Sequence, residues 1–190
     1  MDICFASHNA NKVAEIRLLL PDRYRLLSLK DLDDTEAIEE TAHTLQGNAY
    51  LKAQHVWQKY GIPCFADDTG LEVAALGGRP GVHSARYAGE PSDAEANIQL
   101  LLHQLDGITD RKARFRTVIA LILSQSEKHN FEGIVEGQIL HQKQGAGGFG
   151  YDPVFLPEGY AESFAQMPLS EKNRISHRGR AFSQLIRFLK

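Results

Sequence analysis

The sequence has no apolar run long enough to span a bilayer, two cysteines in 190 residues, a single tryptophan, and no surplus of positive charge. Each shortage excludes something. Without about 20 consecutive apolar residues no membrane-spanning helix is expected. The opening MDICFASHN is acidic at position 2 and strand-like from its start, so it does not read as a signal peptide. Cys4 and Cys64 each sit among apolar neighbours, which fits buried thiols in a reducing cytoplasm, and nothing in the sequence favours a disulfide between them. A formal charge of -3 argues against a nucleic-acid coat, so an anionic ligand would need a local cluster of cations. The eight histidines are scattered, and no His/Cys spacing suggests zinc. No repeat, low-complexity tract or linker divides the chain. With 43% hydrophobic residues, it suits one globular domain over residues 1–190, with room for two lobes.

Periodicity supplies the elements. DICFA reads as a short buried strand running into SHNANK, after which Val13, Ile16, Leu19 and Leu20 keep helical spacing until Pro21. RLLSL is a second strand. The acidic stretch KDLDDTEAIEETAH leads to Thr44, which caps a helix whose apolar stripe is Leu45, Ala49, Ala53, Val56 and Tyr60; Gly61 and Pro63 end it. CFADDTGLEV reads as strand, turn and strand. Ser92 and Glu95 form a capping-box signature before the next helix. ARFRTVIALIL and NFEGIVEGQIL are long neighbouring strands, and Gly179 interrupts the final helical segment. Early alternation of strands and helices, with two adjacent strands late, predicts an α/β fold with a mixed sheet flanked by helices.

Five places carry chemistry. In SHNANK, a strand-turn-helix junction aims free backbone donors at one spot, with Ser7, Asn9 and Lys12 adding side-chain donors; phosphate is the natural occupant, although an Asn-rich helix cap has the same look. In ADDTG, Asp67 and Asp68 cannot share one face of an extended chain, so one is expected at a site and the other on the turn at Thr69. Glu39 and Glu40 precede a helix and complement its dipole; together with an aspartate from ADDTG, a glutamate would also suit a hard divalent cation. Asn48 and Lys52 lie one turn apart, off the apolar stripe. Lys172, His177 and Arg178 supply donors near the C-terminus.

GAGGFGYDPVF holds G-x-G-x-x-G at Gly145, Gly147 and Gly150. A dinucleotide fold would open a helix directly afterwards, and Pro153 disfavours one. The glycines are expected to let backbone approach a ligand while aiming Phe149, Tyr151 and Asp152.

Taken in order, SHNANK, EET with GNAYLKA, ADDTGLEV, PGVHSARYAG, GGFGYDPVF and EKNRISHRGRA resemble the inosine triphosphate pyrophosphatase family over essentially the whole chain. The resemblance implies an elongated mixed sheet between two lobes with the nucleotide in the cleft, a homodimer, and magnesium-dependent hydrolysis of noncanonical purine nucleoside triphosphates (ITP, dITP, XTP) to monophosphate and pyrophosphate. Manganese is an expected substitute, and cleansing of the nucleotide pool the expected purpose. Carried over by motif, Ser7, His8, Asn9, Ala10, Asn11 and Lys12 form the phosphate-binding turn. Glu40 and Asp68 hold the metal, with Asp68 also the proton acceptor. Lys52, Thr69, Phe149, Gly150, Tyr151, Asp152, Lys172, His177 and Arg178 contact substrate, with Phe149 as the stacking face. Two departures stand out: His8 where a glycine is common, and Gly47 where an acidic residue is frequent. The competing readings are a pyrophosphatase for other modified nucleotides and a nucleotide-binding regulator without turnover.

Overall fold

The computed structural model describes residues 1–190 apart from Leu18 and Leu19 and the side chains of Asn11 and Glu15. The part of the first helical pattern that runs to Leu19 therefore lies outside the described residues. Seven strands form one sheet: β1 (Asp2–Phe5), β2 (Arg25–Ser28), β3 (Cys64–Val73), β4 (Pro80–Gly81), β5 (Lys112–Ile122), β6 (Lys128–Ile139) and β7 (Phe155–Pro157). Their order is β2-β1-β3-β5-β6-β7, with β4 paired to β3. β1 runs parallel to β2 and β3, whereas β4 and β7 run antiparallel to β3 and β6. The helices are α1 (Ala10–Arg17), α2 (Leu45–Tyr60), α3 (Ala94–Gln104), α4 (Leu169–Ile175) and α5 (His177–Phe188). The fold is α/β with a mixed sheet, as the sequence predicts. Among the described residues, no helix is long and apolar enough to cross a membrane.

The chain divides into two compact units, Met1–Asp68 with Thr117–Glu132 and Ala181–Lys190, and Thr69–Arg116 with Gly133–Arg180. In the first, strand alternation sorts the core into two layers. Ile3, Phe5, Phe65, Ile119 and Leu121 pack with Phe182 and Leu185 of α5 and with Leu189 just beyond it. Their neighbours Cys4, Ala6, Cys64, Ala66, Ala120 and Ile122 pack with Ala49, Ala53 and Val56 of α2. Burial on both faces is why these strands read as continuous apolar runs rather than alternating ones. Cys4 and Cys64 are register partners on adjacent strands, and burial pushes each thiol up to about 12. In the second unit, Ile98, Leu101 and Leu105 join Leu71, Val73, Phe115, Phe155 and Phe164 in one cluster.

Three local expectations are corrected. CFADDTGLEV is a single continuous strand with no turn at Thr69. The cap of α3 is Asp93, whose carboxylate accepts from the N–H groups of Glu95 and Ala96, while the Ser92 hydroxyl donates to the Ala85 carbonyl. The final helical segment breaks at Ser176, not at Gly179. Gly179 lies inside α5, where a Cβ would come within 1.8 Å of the Asn173 carbonyl oxygen, so glycine there permits close approach.

Candidate active site

The parallel register Phe5↔Phe65 sets the end of β1 beside the start of β3, which places Ser7, two residues past the end of β1, level with Asp67 on β3. Ser7 Oγ accepts the Asn9 N–H at 3.2 Å. Asn9 Oδ1 accepts the Lys12 N–H at 3.1 Å, so Asn9 caps α1. Ala10 and Asn11 form the first turn of α1; the Asn11 side chain lies outside the described residues. His8 is exposed, with Nε2 3.4 Å from the Glu36 carbonyl oxygen.

Lys12 donates to both carboxylate oxygens of Asp67, at 3.1 and 2.8 Å, and the Asp67 side chain is almost wholly buried. Lys52, from α2, bridges Glu40 Oε1 at 2.8 Å and Asp68 Oδ1 at 2.9 Å. Both aspartates of ADDTG therefore face a lysine, and neither caps a turn, which corrects the expectation that one of them would. Ser7, His8, Lys12, Glu40, Lys52 and Asp67 line a cavity of about 240 Å³. Thr69, half-buried, follows on the same strand.

The electrostatics of this cavity point one way. Burial raises the Asp68 carboxyl above the usual carboxylate range against the pull of Lys52, with Glu40 and Asp67 adding repulsion. The same carboxylates hold Lys52 above the ordinary lysine value although burial opposes it. Among the described residues, these ion pairs join two ammonium groups to three carboxylates, one negative charge in excess, and Asp68 Oδ2 is buried with no hydrogen-bond partner. A hard cation with one or two protein carboxylates fits that donor set: it would take the orphaned oxygen and reverse the sign of the excess charge.

A second group of ligand-type atoms, on Asp34, Glu36 and His55, lies within 4.8 Å of one another. There the chain supplies its own cation, because Lys59 Nζ sits 3.1 Å from both Asp34 Oδ1 and Glu36 Oε2. Sequence reasoning missed this group. The signal that could have found it is the spacing of His55 and Lys59 after Asn48 and Lys52 on α2.

The glycine-rich loop belongs to the second unit. Added Cβ atoms on Gly145 and Gly147 would come within 2.7 and 2.9 Å of Ala165 backbone atoms, and one on Gly148 within 2.2 Å of the Asp152 carboxylate. These glycines serve the loop's approach to its own protein, a correction to the ligand-approach expectation, while Gly150 at φ +57° has open space around it. Asp152 is buried, accepts the Phe149 N–H at 2.7 Å and forms an ion pair with buried Lys172. The Tyr151 ring is buried with its hydroxyl donating to the Ser84 carbonyl, so only its backbone is left to meet a ligand. Phe149 is 62% exposed, with Lys172 Nζ 4.6 Å and the Arg178 guanidinium carbon 5.2 Å from its ring centre. His177 is buried and stacked on Phe115 at 4.6 Å. The structure thus gathers Lys12, Glu40, Lys52, Asp67 and Asp68 in the first unit, and Phe149, Asp152, Lys172 and Arg178 in the second.

Comparison with known proteins matches this chain over its length. A dITP/XTP pyrophosphatase of Christiangramia forsetii is 55% identical over 189 residues, covering 100% of this chain and 99% of the relative. One of Bacillus subtilis is 44% identical over 187 residues, covering 97% and 94%. Among solved structures, the Staphylococcus aureus Ham1 protein superposes with a TM-score of 0.95 at 40% identity, covering 100% of this chain and 98% of that one. A family model described as the Ham1 family matches residues 3–188, so the resemblance carried by the motifs holds from the first strand to the last helix, and the chain belongs to the Ham1 family.

Proposed function

We propose that this chain hydrolyses noncanonical purine nucleoside triphosphates, dITP and XTP among them, to the monophosphate and pyrophosphate. The observation that carries the reading is the cavity lined by Lys12, Lys52, Glu40 and Asp67, with Asp68 paired to Lys52 beside it and one buried Asp68 oxygen without a partner among the described residues. The relatives named dITP/XTP pyrophosphatase, matched over their full length, support the substrate class.

In this mechanism Glu40 and Asp68 would hold a divalent cation, magnesium in our reading with manganese as a substitute. That cation would neutralise charge on the phosphates and polarise them. Asp68 accepts a proton from the attacking water. The water oxygen bonds to the α-phosphorus, the bond from that phosphorus to the bridging α–β oxygen breaks, and pyrophosphate leaves with the electron pair. Lys12 and Lys52 face the phosphate oxygens where charge accumulates. The purine meets Phe149 by stacking, a contact of about 1–3 kcal/mol, and Lys172 and Arg178 offer only donors, which suit a 6-keto oxygen and not the adenine amino group. His177 completes that set of donors. We take the chain as one catalytic domain that works as a cytoplasmic homodimer to cleanse the nucleotide pool, with no nucleic-acid or membrane partner.

The test is incubation with ITP and, in parallel, ATP in the presence of Mg²⁺, with pyrophosphate and orthophosphate measured separately. Pyrophosphate should appear with ITP and very little with ATP. Asp68→Asn should lose about 10²–10⁴-fold in turnover while still binding nucleotide. Orthophosphate as the product, equal rates on both nucleotides, or an Asp68→Asn enzyme within threefold of wild type would each remove the reading.

A further inference from the structure

Between the 3-10 turn at Lys30–Leu32 and α2, residues 33–44 form no helix or strand, yet from Ala37 to His43 the side chains alternate. Ala37, Glu39, Thr41 and His43 are exposed, whereas Ile38, Glu40 and Ala42 turn inward, as on an extended chain; before them Asp34 is buried and Thr35 and Glu36 are exposed. The inward residues meet a polar stripe of α2. Asp34 accepts from His55 Nε2 at 2.7 Å and from Lys59 Nζ at 3.1 Å. Glu36 pairs with Lys59 at 3.1 Å, and Glu40 with Lys52 at 2.8 Å. Asn48 Oδ1, buried, accepts the Ala42 N–H at 2.9 Å. Residues 48, 52, 55 and 59 are spaced four, three and four apart, which places them on one helical face. The segment runs down that face in reverse order, 34 and 36 at the C-terminal end and 42 at the N-terminal end.

The alternation from Ala37 to His43 makes register decisive around Glu40. A slip of one residue turns every side chain to the other side, and here it would exchange Glu40 for Glu39. Charge alone cannot prevent that, because both are glutamates. Something must fix the register at a distance from the pair. The Asp34 side chain has no exposed surface and its carboxylate is held at both oxygens, so it has one geometry only.

We propose that the Asp34–His55–Lys59 cluster is a register lock, its members positioning residues that bring Glu40 rather than Glu39 to Lys52 and Asp68. The inference rests on the reading of Glu40 and Asp68 as the metal carboxylates. Asp34 and Lys59 do not touch that metal; they act on its affinity by fixing the chain that carries Glu40, as outer partners of metal ligands do.

The experiment uses the full-length, nucleotide-free protein as wild type and as His55→Gln, Lys59→Met, Lys59→Arg and Glu40→Gln. Mn²⁺ affinity is measured by the electron paramagnetic resonance of free Mn²⁺, and amide hydrogen exchange is followed across residues 35–42. His55→Gln and Lys59→Met should each weaken Mn²⁺ by about 10–100-fold and speed exchange in the segment, while Lys59→Arg should stay near wild type. A merely structural role would lower the melting temperature without moving Mn²⁺ affinity. If Glu40→Gln weakens Mn²⁺ but His55→Gln and Lys59→Met stay within twofold of wild type, the lock is overturned and the metal reading stands. If wild type binds no Mn²⁺, or Glu40→Gln changes nothing, the metal reading fails and the lock fails with it.

Discussion

Replacing Lys52 by methionine keeps an unbranched apolar stem, one atom shorter, and removes the ammonium that Glu40 and Asp68 share. The Lys52 side chain is 14% exposed and that of Asp68 11%, so solvent has little access to repair the loss. An ammonium and a carboxylate about 4 Å apart attract by about 4 kcal/mol at an effective dielectric constant of 20; desolvation of both groups offsets part of it. Removing one partner of a buried pair typically destabilises by about 3–5 kcal/mol. Glu40 keeps a quarter or so of its side-chain surface in water, and Asp68 can relieve repulsion by taking a proton, so the lower end, about 3 kcal/mol, applies here. In a chain of this size each kcal/mol shifts the midpoint by about 2–4 °C, which gives a fall of about 6–12 °C. Differential scanning fluorimetry in EDTA measures it directly. Mg²⁺ should then stabilise Lys52→Met more than wild type, because the cation and the ammonium compete for the same two carboxylates. A variant that melts within about 2 °C of wild type in EDTA, or that gains no more from Mg²⁺ than wild type does, would refute the reasoning.

Lys12→Ala should weaken triphosphate binding more than monophosphate binding in calorimetric titrations at fixed salt, and should lower the melting temperature because buried Asp67 loses the ammonium that donates to both of its oxygens; equal weakening of both nucleotides would detach Lys12 from the phosphate tail. Gly47→Ala should destabilise even though alanine is favoured in a helix by about 1 kcal/mol, because its Cβ would come within 2.5 Å of the Ala42 Cβ. A gain in melting temperature would show that the 33–44 segment yields without resistance.

That glycine also shows where sequence reasoning stops. Gly47 stands in place of an acidic residue frequent in the family, which looks like a lost partner for the metal side; the structure makes it the point where Ala42 lies against α2. The apolar stripe of α2 and its ends at Thr44 and Gly61 were legible, because they follow from helical spacing and local capping. Its polar stripe was not, since what His55 and Lys59 hold is set by a segment with no helical period. ADDTG looked like a turn because Asp, Thr and Gly favour turns. It stays extended because sheet pairing and two lysines outweigh that preference. The members of the site, Lys12, Glu40, Lys52 and Asp68, were legible by motif. The assignment of Lys12 to Asp67 and of Lys52 to Asp68 and Glu40 was not, because pairing depends on which side chains the fold brings within 3 Å.

The two buried cysteines have a use that their chemistry makes plain. Burial pushes each thiol up to about 12, which disfavours the reactive thiolate, and neither side chain is exposed to a reagent. Both native thiols should therefore react slowly with maleimides in the folded chain, which a thiol titration with and without denaturant checks. A single cysteine placed at exposed Ala37 would carry a fluorophore alone, on the very segment whose register decides which glutamate reaches Lys52.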